Sequence, residues 1–156
     1  MHRKVQDALE SSGVSYRTQR HKDLQIDIRS PHDFARALGY ELDRITKTLL
    51  LRSTERDEFA VVVLSINKRV QLERIAELLQ TKRVQMATKE ELSTILDYPP
   101  TGASPLGADP LSVIIDSGLM DFPTVLVGAG EAAVEIEISP QALVQVTNAN
   151  VMSIAA

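Results

Sequence analysis

The sequence predicts one domain of the mixed α/β (α+β) class, with a curved, mostly antiparallel central sheet flanked by helices. Some segments carry apolar residues at helical spacing, and others are short runs rich in Val, Ile and Leu. These segments do not alternate in the regular order of a parallel βαβ sheet. No repeat, low-complexity stretch or linker divides the chain, so residues 1–156 are expected to fold as a single domain.

Capping signals place the first two helices. An N-terminal helix ends at Gly13, because a residue without a Cβ readily adopts the left-handed conformation that follows a helix. A second helix begins at Ser30-Pro31, since Ser30 can cap it and Pro31 needs no N–H at the first helical position. Gly39 is expected to end this second helix. A short strand, residues 14–21, should lie between the two.

The middle of the chain predicts an antiparallel strand pair covered by two helices. Residues 45–51 and 59–66 are rich in β-branched and aliphatic side chains, and a polar loop joins them. Residues 72–79 have helical spacing, and a capping box at Thr88 and Glu91 begins another helix. Both helices are expected on the same side of the sheet.

The C-terminal third predicts further strands at residues 112–115, 124–127, 134–138 and 151–154. A helix begins at Ser139-Pro140 between the last two.

Composition excludes several classes of function. The chain has no cysteine, which rules out disulfides, thiolate metal sites and a cysteine nucleophile. Its 17 basic and 21 acidic residues give a net charge of −4, which disfavours a protein that binds long nucleic acids by charge alone. No apolar run approaches the roughly 20 residues needed to cross a bilayer. We expect a cytoplasmic protein without a membrane segment.

Lys47 is the first candidate for chemistry. In a strand it shares a face with Ile45, Leu49 and Leu51, which places an ammonium on an apolar surface. An unpaired buried charge is costly. Either the side chain extends its charged end to water, or it faces a pocket that receives an anion or an electron-rich carbonyl.

The Gly- and Pro-containing loop at residues 101–107 is the second candidate. Gly102, Pro105 and Gly107 constrain its backbone to a defined shape. Such a loop can direct N–H groups at a carboxylate, a phosphate or an ester oxyanion, or it can be a plain connector. The later Gly128-Ala129-Gly130 is interpreted as a hairpin connection, because no helix pattern follows it.

The histidines and the basic residues beside them offer weaker signals. His2, His21 and His32 lack zinc-site spacing, so we predict no metal. His21 could line a pocket or lie at the edge of the core. Arg20 and Lys22 flank it, and they could contact phosphate or form a solvated surface.

Five motifs in order resemble the YbaK/prolyl-tRNA synthetase-associated domain family from about residue 21 to residue 146. They are Lys47-Thr48-Leu49-Leu50, residues 59–63, Gly102-Ala103-Ser104-Pro105-Leu106-Gly107, residues 125–130 and Val134-Glu135-Ile136. The resemblance implies a YbaK-like fold and an aminoacyl-tRNA deacylase that clears mischarged tRNA in trans or as a synthetase insert. The partner implied is the acceptor end of mischarged tRNA, alone or together with an aminoacyl-tRNA synthetase, with no cofactor.

The resemblance also implies roles for particular residues. Lys47 takes the place of the pocket lysine that the family needs for activity, so it is the predicted catalytic residue. Its neighbour Thr48, the first-strand residue His21 and two glycine-containing loops form the predicted substrate site. The loop residues are Gly102, Ala103, Ser104, Pro105, Gly107, Gly128 and Gly130. Glu131-Ala132 stands where family members often have Arg-Gly.

Two questions stay open at the level of the sequence. The amino acid removed could be alanine, cysteine, serine or threonine. A ligand-binding or tRNA-end-binding regulatory module on the same fold is the alternative to an enzyme, since fold does not fix function.

Overall fold

A computed structural model describes all residues, Met1–Ala156, as five α-helices and eight β-strands. In chain order these are α1 (Arg3–Ser12), β1 (Arg17–Arg20), α2 (Pro31–Leu38), β2 (Thr46–Ser53), β3 (Phe59–Ser65), α3 (Leu72–Leu78), β4 (Val84–Met86), α4 (Lys89–Leu96), β5 (Ser112–Asp116), β6 (Val125–Gly128), β7 (Val134–Ile138), α5 (Pro140–Thr147) and β8 (Asn150–Met152). None of the helices has the length and apolar character needed to cross a membrane.

The strands form two sheets where the sequence predicted one. Five strands are ordered β4-β2-β3-β5-β8, and three are ordered β1-β7-β6. Only the β3–β5 and β5–β8 pairs are parallel, which confirms the mostly antiparallel class. An isolated bridge joins Ile45 to Leu126, and the Thr46 hydroxyl donates to the Leu126 carbonyl at 2.6 Å. These contacts hold the N-terminal end of β2 against β6.

The larger sheet has an apolar cluster on each face. Along β3, Val61 and Val63 belong to one cluster, and Val62 belongs to the other, as alternate side chains of a strand must. Helix α3 packs Ile75 into the cluster of Val62, whereas α4 packs Leu96 into the opposite one. The prediction that both helices lie on the same side is therefore wrong, because spacing identifies an apolar face without saying which sheet face it covers.

The capping signals are confirmed. Thr88 and Glu91 form a reciprocal capping box, and the Ser30 and Ser139 side chains accept from backbone N–H groups of the helices that they precede. The Asp33 N–H reaches the Ser30 hydroxyl at 3.2 Å. This cap fixes the start of α2, which forms one wall of the site described next.

Candidate active site

A cavity of 540 Å³ opens where the N-terminal end of β2 meets α2, the β6–β7 pair and the loop after Pro99. Five of the predicted site residues line it. They are His21, Lys47, Thr48, Ala103 and Gly128. Apolar side chains provide much of the remaining wall, namely Ile28, Phe34, Ile45, Leu49 and Ile66. The cavity thus combines an apolar wall with a small number of polar groups, as ligand sites commonly do.

Lys47 supplies a cation to this cavity. It lies on β2 opposite Leu64 of β3, and its strand neighbours Leu49 and Leu51 pack into the cluster on that face of the sheet. No carboxylate lies within ion-pair distance of the ammonium. Burial, and secondarily the positive charge of Arg69, lower the pKa of Lys47 below its ordinary value. An incoming anion or polarised carbonyl would therefore find a half-buried, uncompensated positive charge.

His21 and Glu135 form a polar pair in the lining of the cavity. Their Nε2 and Oε2 atoms are 2.8 Å apart, and both side chains are about three-quarters buried, with 26% and 23% of their surface exposed. The His21 ring also lies against Phe34, with ring centroids 4.6 Å apart. Burial raises the pKa of Glu135, and the interaction with His21 opposes that rise.

Sequence reasoning missed Glu135 as a site residue. The available signal was the Val134-Glu135-Ile136-Glu137-Ile138 alternation, which puts both carboxylates on one face of β7. The two carboxylates nevertheless have different surroundings. Glu135 reaches the cavity, whereas Glu137 accepts hydrogen bonds from Tyr40, Thr124 and Gln19 outside its lining.

A close backbone contact holds the loop against β6. The Gly130 N–H donates to the Gly102 carbonyl at 2.8 Å. A Cβ at Gly128 would lie 2.1 Å from the Ala103 carbonyl oxygen, so only a glycine allows the loop to approach so closely. Ala103 lines the cavity, and its N–H donates to no acceptor within the protein. This N–H is therefore a candidate donor to a bound ligand.

The remaining predicted loop residues do not line the cavity. Ser104 is fully buried, and its hydroxyl accepts from the Leu106 N–H at 3.1 Å. Gly107 has a φ of +76° and packs against Tyr98, on the side away from the cavity. Gly102, Pro105 and Gly130 are also absent from the lining. These residues shape the loop and its approach to β6, and their contact with substrate stays a prediction.

Thr48 is a partly buried residue of the wall, and its buried hydroxyl is unpaired. Its Oγ1 atom is inaccessible to solvent and has no hydrogen-bond partner. A buried unpaired hydroxyl is uncommon in folded proteins. Thr48 therefore retains hydrogen-bonding capacity next to Lys47.

The fold and the cavity define a mixed α+β domain with a cationic, partly apolar pocket of the kind that can receive an ester. The sequence model of the aminoacyl-tRNA editing domain family matches residues 26–146, and the chain belongs to this family. This confirms the predicted YbaK-type resemblance and the aminoacyl-tRNA deacylase class.

Individual relatives agree with that assignment. A protein from Enterococcus faecalis named "Putative Cys-tRNA(Pro)/Cys-tRNA(Cys) deacylase EbsC" is 28% identical over 78% of this chain and 74% of its own length. A proline--tRNA ligase from a Sulfurihydrogenibium species is 32% identical over 67% of this chain, a match that spans only 18% of the ligase. The crystal structure of "a putative trans-editing enzyme for prolyl tRNA synthetase" superposes with a TM-score of 0.85 at 25% identity, covering 99% of this chain and 96% of the other.

Proposed function

We propose that the chain hydrolyses the aminoacyl ester at the acceptor end of mischarged tRNA, with Lys47 as the group that holds the ester. The observation that carries this proposal is the half-buried ammonium of Lys47, which has no carboxylate partner and lines the cavity. A positive charge that folding leaves uncompensated is available to stabilise charge that develops in a bound ligand.

The reaction would need no covalent bond between the protein and the substrate. Water adds to the ester carbonyl, the tetrahedral intermediate collapses, and the products are the free amino acid and the ribose hydroxyl of the tRNA. Negative charge develops on the carbonyl oxygen, where the Lys47 ammonium and the Ala103 N–H would meet it. Because an ester is already activated, positioning of water and stabilisation of the oxyanion account for catalysis without a nucleophilic side chain.

The substrate's α-ammonium group also needs a partner. Glu135 is the carboxylate in the lining, and His21 holds it at 2.8 Å. An arriving ammonium would favour ionised Glu135, whose pKa burial otherwise raises. The apolar wall formed by Phe34, Ile45 and Leu49 would then limit the size of the side chain accepted. This arrangement fits the double-sieve principle, in which a second site removes products that a synthetase cannot reject.

The first experiment measures release of the amino acid from tRNAs mischarged with alanine, cysteine, serine or threonine. Cysteine is the first to test, because the Enterococcus relative carries that specificity in its name. Lys47→Ala is compared with Lys82→Ala, which removes an exposed lysine outside the cavity. We expect Lys47→Ala to slow release by about 10²–10³-fold, the usual effect of removing one oxyanion-stabilising group. Full activity of Lys47→Ala would contradict the proposal.

Two finer expectations belong to the same proposal. The proline--tRNA ligase relatives make a synthetase that handles proline the first partner to test by co-purification. The cytoplasm is the expected location because charged tRNA is made and used there.

A further inference from the structure

A second, smaller cavity lies next to the proposed ester site and is lined by basic side chains. Its volume is 150 Å³, and its walls include Arg20, Lys22 and Glu131. That volume is about five times the space a water molecule occupies in the liquid, which suits a group of phosphate size.

Residues that are adjacent in the chain line the two cavities. His21 lines the larger cavity, and its immediate neighbours Arg20 and Lys22 line the smaller one. On the paired strand the same division recurs, with Glu135 in the larger cavity and Val134 in the smaller. The His21 N–H donates to the Ala133 carbonyl at 3.0 Å, which fixes this shared wall. Because consecutive side chains of a strand point to opposite faces, Val134 and Glu135 form part of a wall that the two cavities share.

The charges in the small cavity favour an anion. Neither Arg20 nor Lys22 has a side-chain hydrogen bond or an ion pair within the protein. Glu131 is exposed, and its carboxylate is paired with the amino group of Met1, while Arg20 and Lys22 also attract it without forming an ion pair. Two unpaired cations thus face one carboxylate that already has a partner.

We propose that Arg20 and Lys22 bind the backbone phosphate of the nucleotide whose ribose carries the ester, or the phosphate next to it. This inference rests on the proposed function, because it assumes that the aminoacylated ribose occupies the larger cavity. The backbone of an aminoacyl-tRNA must leave that cavity beside the reacting ribose, and it carries its phosphates with it. Two such contacts would give a protein of net charge −4 a local hold on tRNA.

The test measures binding of a fluorescently labelled, uncharged RNA hairpin ending in single-stranded CCA, over a range of salt concentrations. In the Arg20→Gln/Lys22→Gln variant, the slope of log affinity against log salt should be smaller by about 0.7, the value for one neutralised phosphate on a single strand. Between 50 and 200 mM salt, the wild type would then lose about 2.6-fold more affinity than the variant.

Two further variants make the result specific. The Lys82→Gln/Arg83→Gln control removes the same charge from exposed positions outside both cavities and should leave the slope unchanged. Glu131→Gln should tighten binding by about two- to threefold, the effect of removing one repulsion at about 7 Å in water. An unchanged slope in the Arg20/Lys22 variant, or an equal decrease in the control, would overturn the proposal.

A substrate without the phosphates separates this inference from the proposed function. The wild type and the Arg20→Gln/Lys22→Gln variant should hydrolyse cysteinyl-adenosine at the same rate, while the variant loses kcat/KM on mischarged tRNA. Equal losses on both substrates would overturn the phosphate assignment. If the wild type hydrolysed neither substrate but the salt slope still changed, the proposed function would fail and the phosphate site would stand.

Discussion

Replacing Gly128 with alanine tests whether the position of the loop determines activity. The added Cβ would lie 2.1 Å from the Ala103 carbonyl oxygen and 3.0 Å from its carbonyl carbon. Real Cβ contacts essentially never fall below 3.0 Å, so the loop or β6 must move by at least 0.9 Å. The obstructing atoms are backbone, which cannot rotate away as a side chain would.

This displacement predicts a larger effect on catalysis than on stability. Overpacking of this kind costs about 1–3 kcal/mol in the free energy of unfolding. A shift of about 1 Å in a positioned donor reduces catalytic rate by about 10²-fold. Because the Ala103 N–H belongs to the displaced segment, we expect Gly128→Ala to remain folded at 25 °C and to lose most of its deacylation activity.

Gly13→Ala provides the matched control. Gly13 has a φ of +65° and no atom within 4 Å of an added Cβ, so the alanine is strained but does not clash. It should cost about 1 kcal/mol of stability and leave deacylation unchanged. Urea unfolding and amino acid release are measured on both variants and the wild type. Wild-type activity in folded Gly128→Ala would refute the reasoning that the close approach of the loop positions a catalytic donor.

Three other outcomes follow from the site and its supporting contacts. Burial lowers the pKa of Lys47, so the ammonium should lose its proton at a pH below its ordinary pKa of 10.5, and kcat/KM should fall there. Arginine stays charged at that pH, so a pH profile of Lys47→Arg should show no such decline in any remaining activity. Burial opposes ionisation of Glu137, but hydrogen bonds from Tyr40, Gln19 and Thr124 outweigh this effect and lower the pKa of the carboxyl. Ionised Glu137 therefore stabilises the fold above the ordinary pKa of 4.5, and this stabilisation is lost as pH falls through the folded-state pKa. Glu137→Gln should therefore be less stable than the wild type at pH 7, with the difference narrowing in acid unfolding; a constant difference would argue against this role. Glu135→Gln should raise KM more than it lowers kcat if the carboxylate binds the substrate ammonium, and a loss confined to kcat would contradict that role.

Local signals predicted the elements of this fold well. Capping residues such as Ser30 and Thr88 bond to N–H groups three residues onward, so neighbouring residues in the sequence are enough to predict them. Strand β4, Val84–Met86, was missed because it is three residues long, contains a central glutamine and is stabilised by pairing with β2. The division into two sheets was missed for a related reason, since it depends on strand pairing between residues as distant as Arg17 and Glu137.

The residues of the candidate site also differ in whether a local signal could predict them. Lys47 was predictable because a cation inside an apolar strand is locally anomalous, and His21 followed from the family resemblance. Glu135 was not identified, because its partner His21, which packs on Phe34 of α2, is distant in sequence. In the loop, sequence could not distinguish Ala103, which lines the cavity, from Ser104, which is buried behind it.

The most direct test of the account is release of cysteine from Cys-tRNA by equal concentrations of the wild type, Lys47→Ala and Lys82→Ala. The account predicts rapid release by the wild type and Lys82→Ala, and a loss of at least about 10²-fold in Lys47→Ala. If the three proteins release cysteine at the same rate above the uncatalysed reaction, then the unpaired ammonium in the cavity is not what drives deacylation.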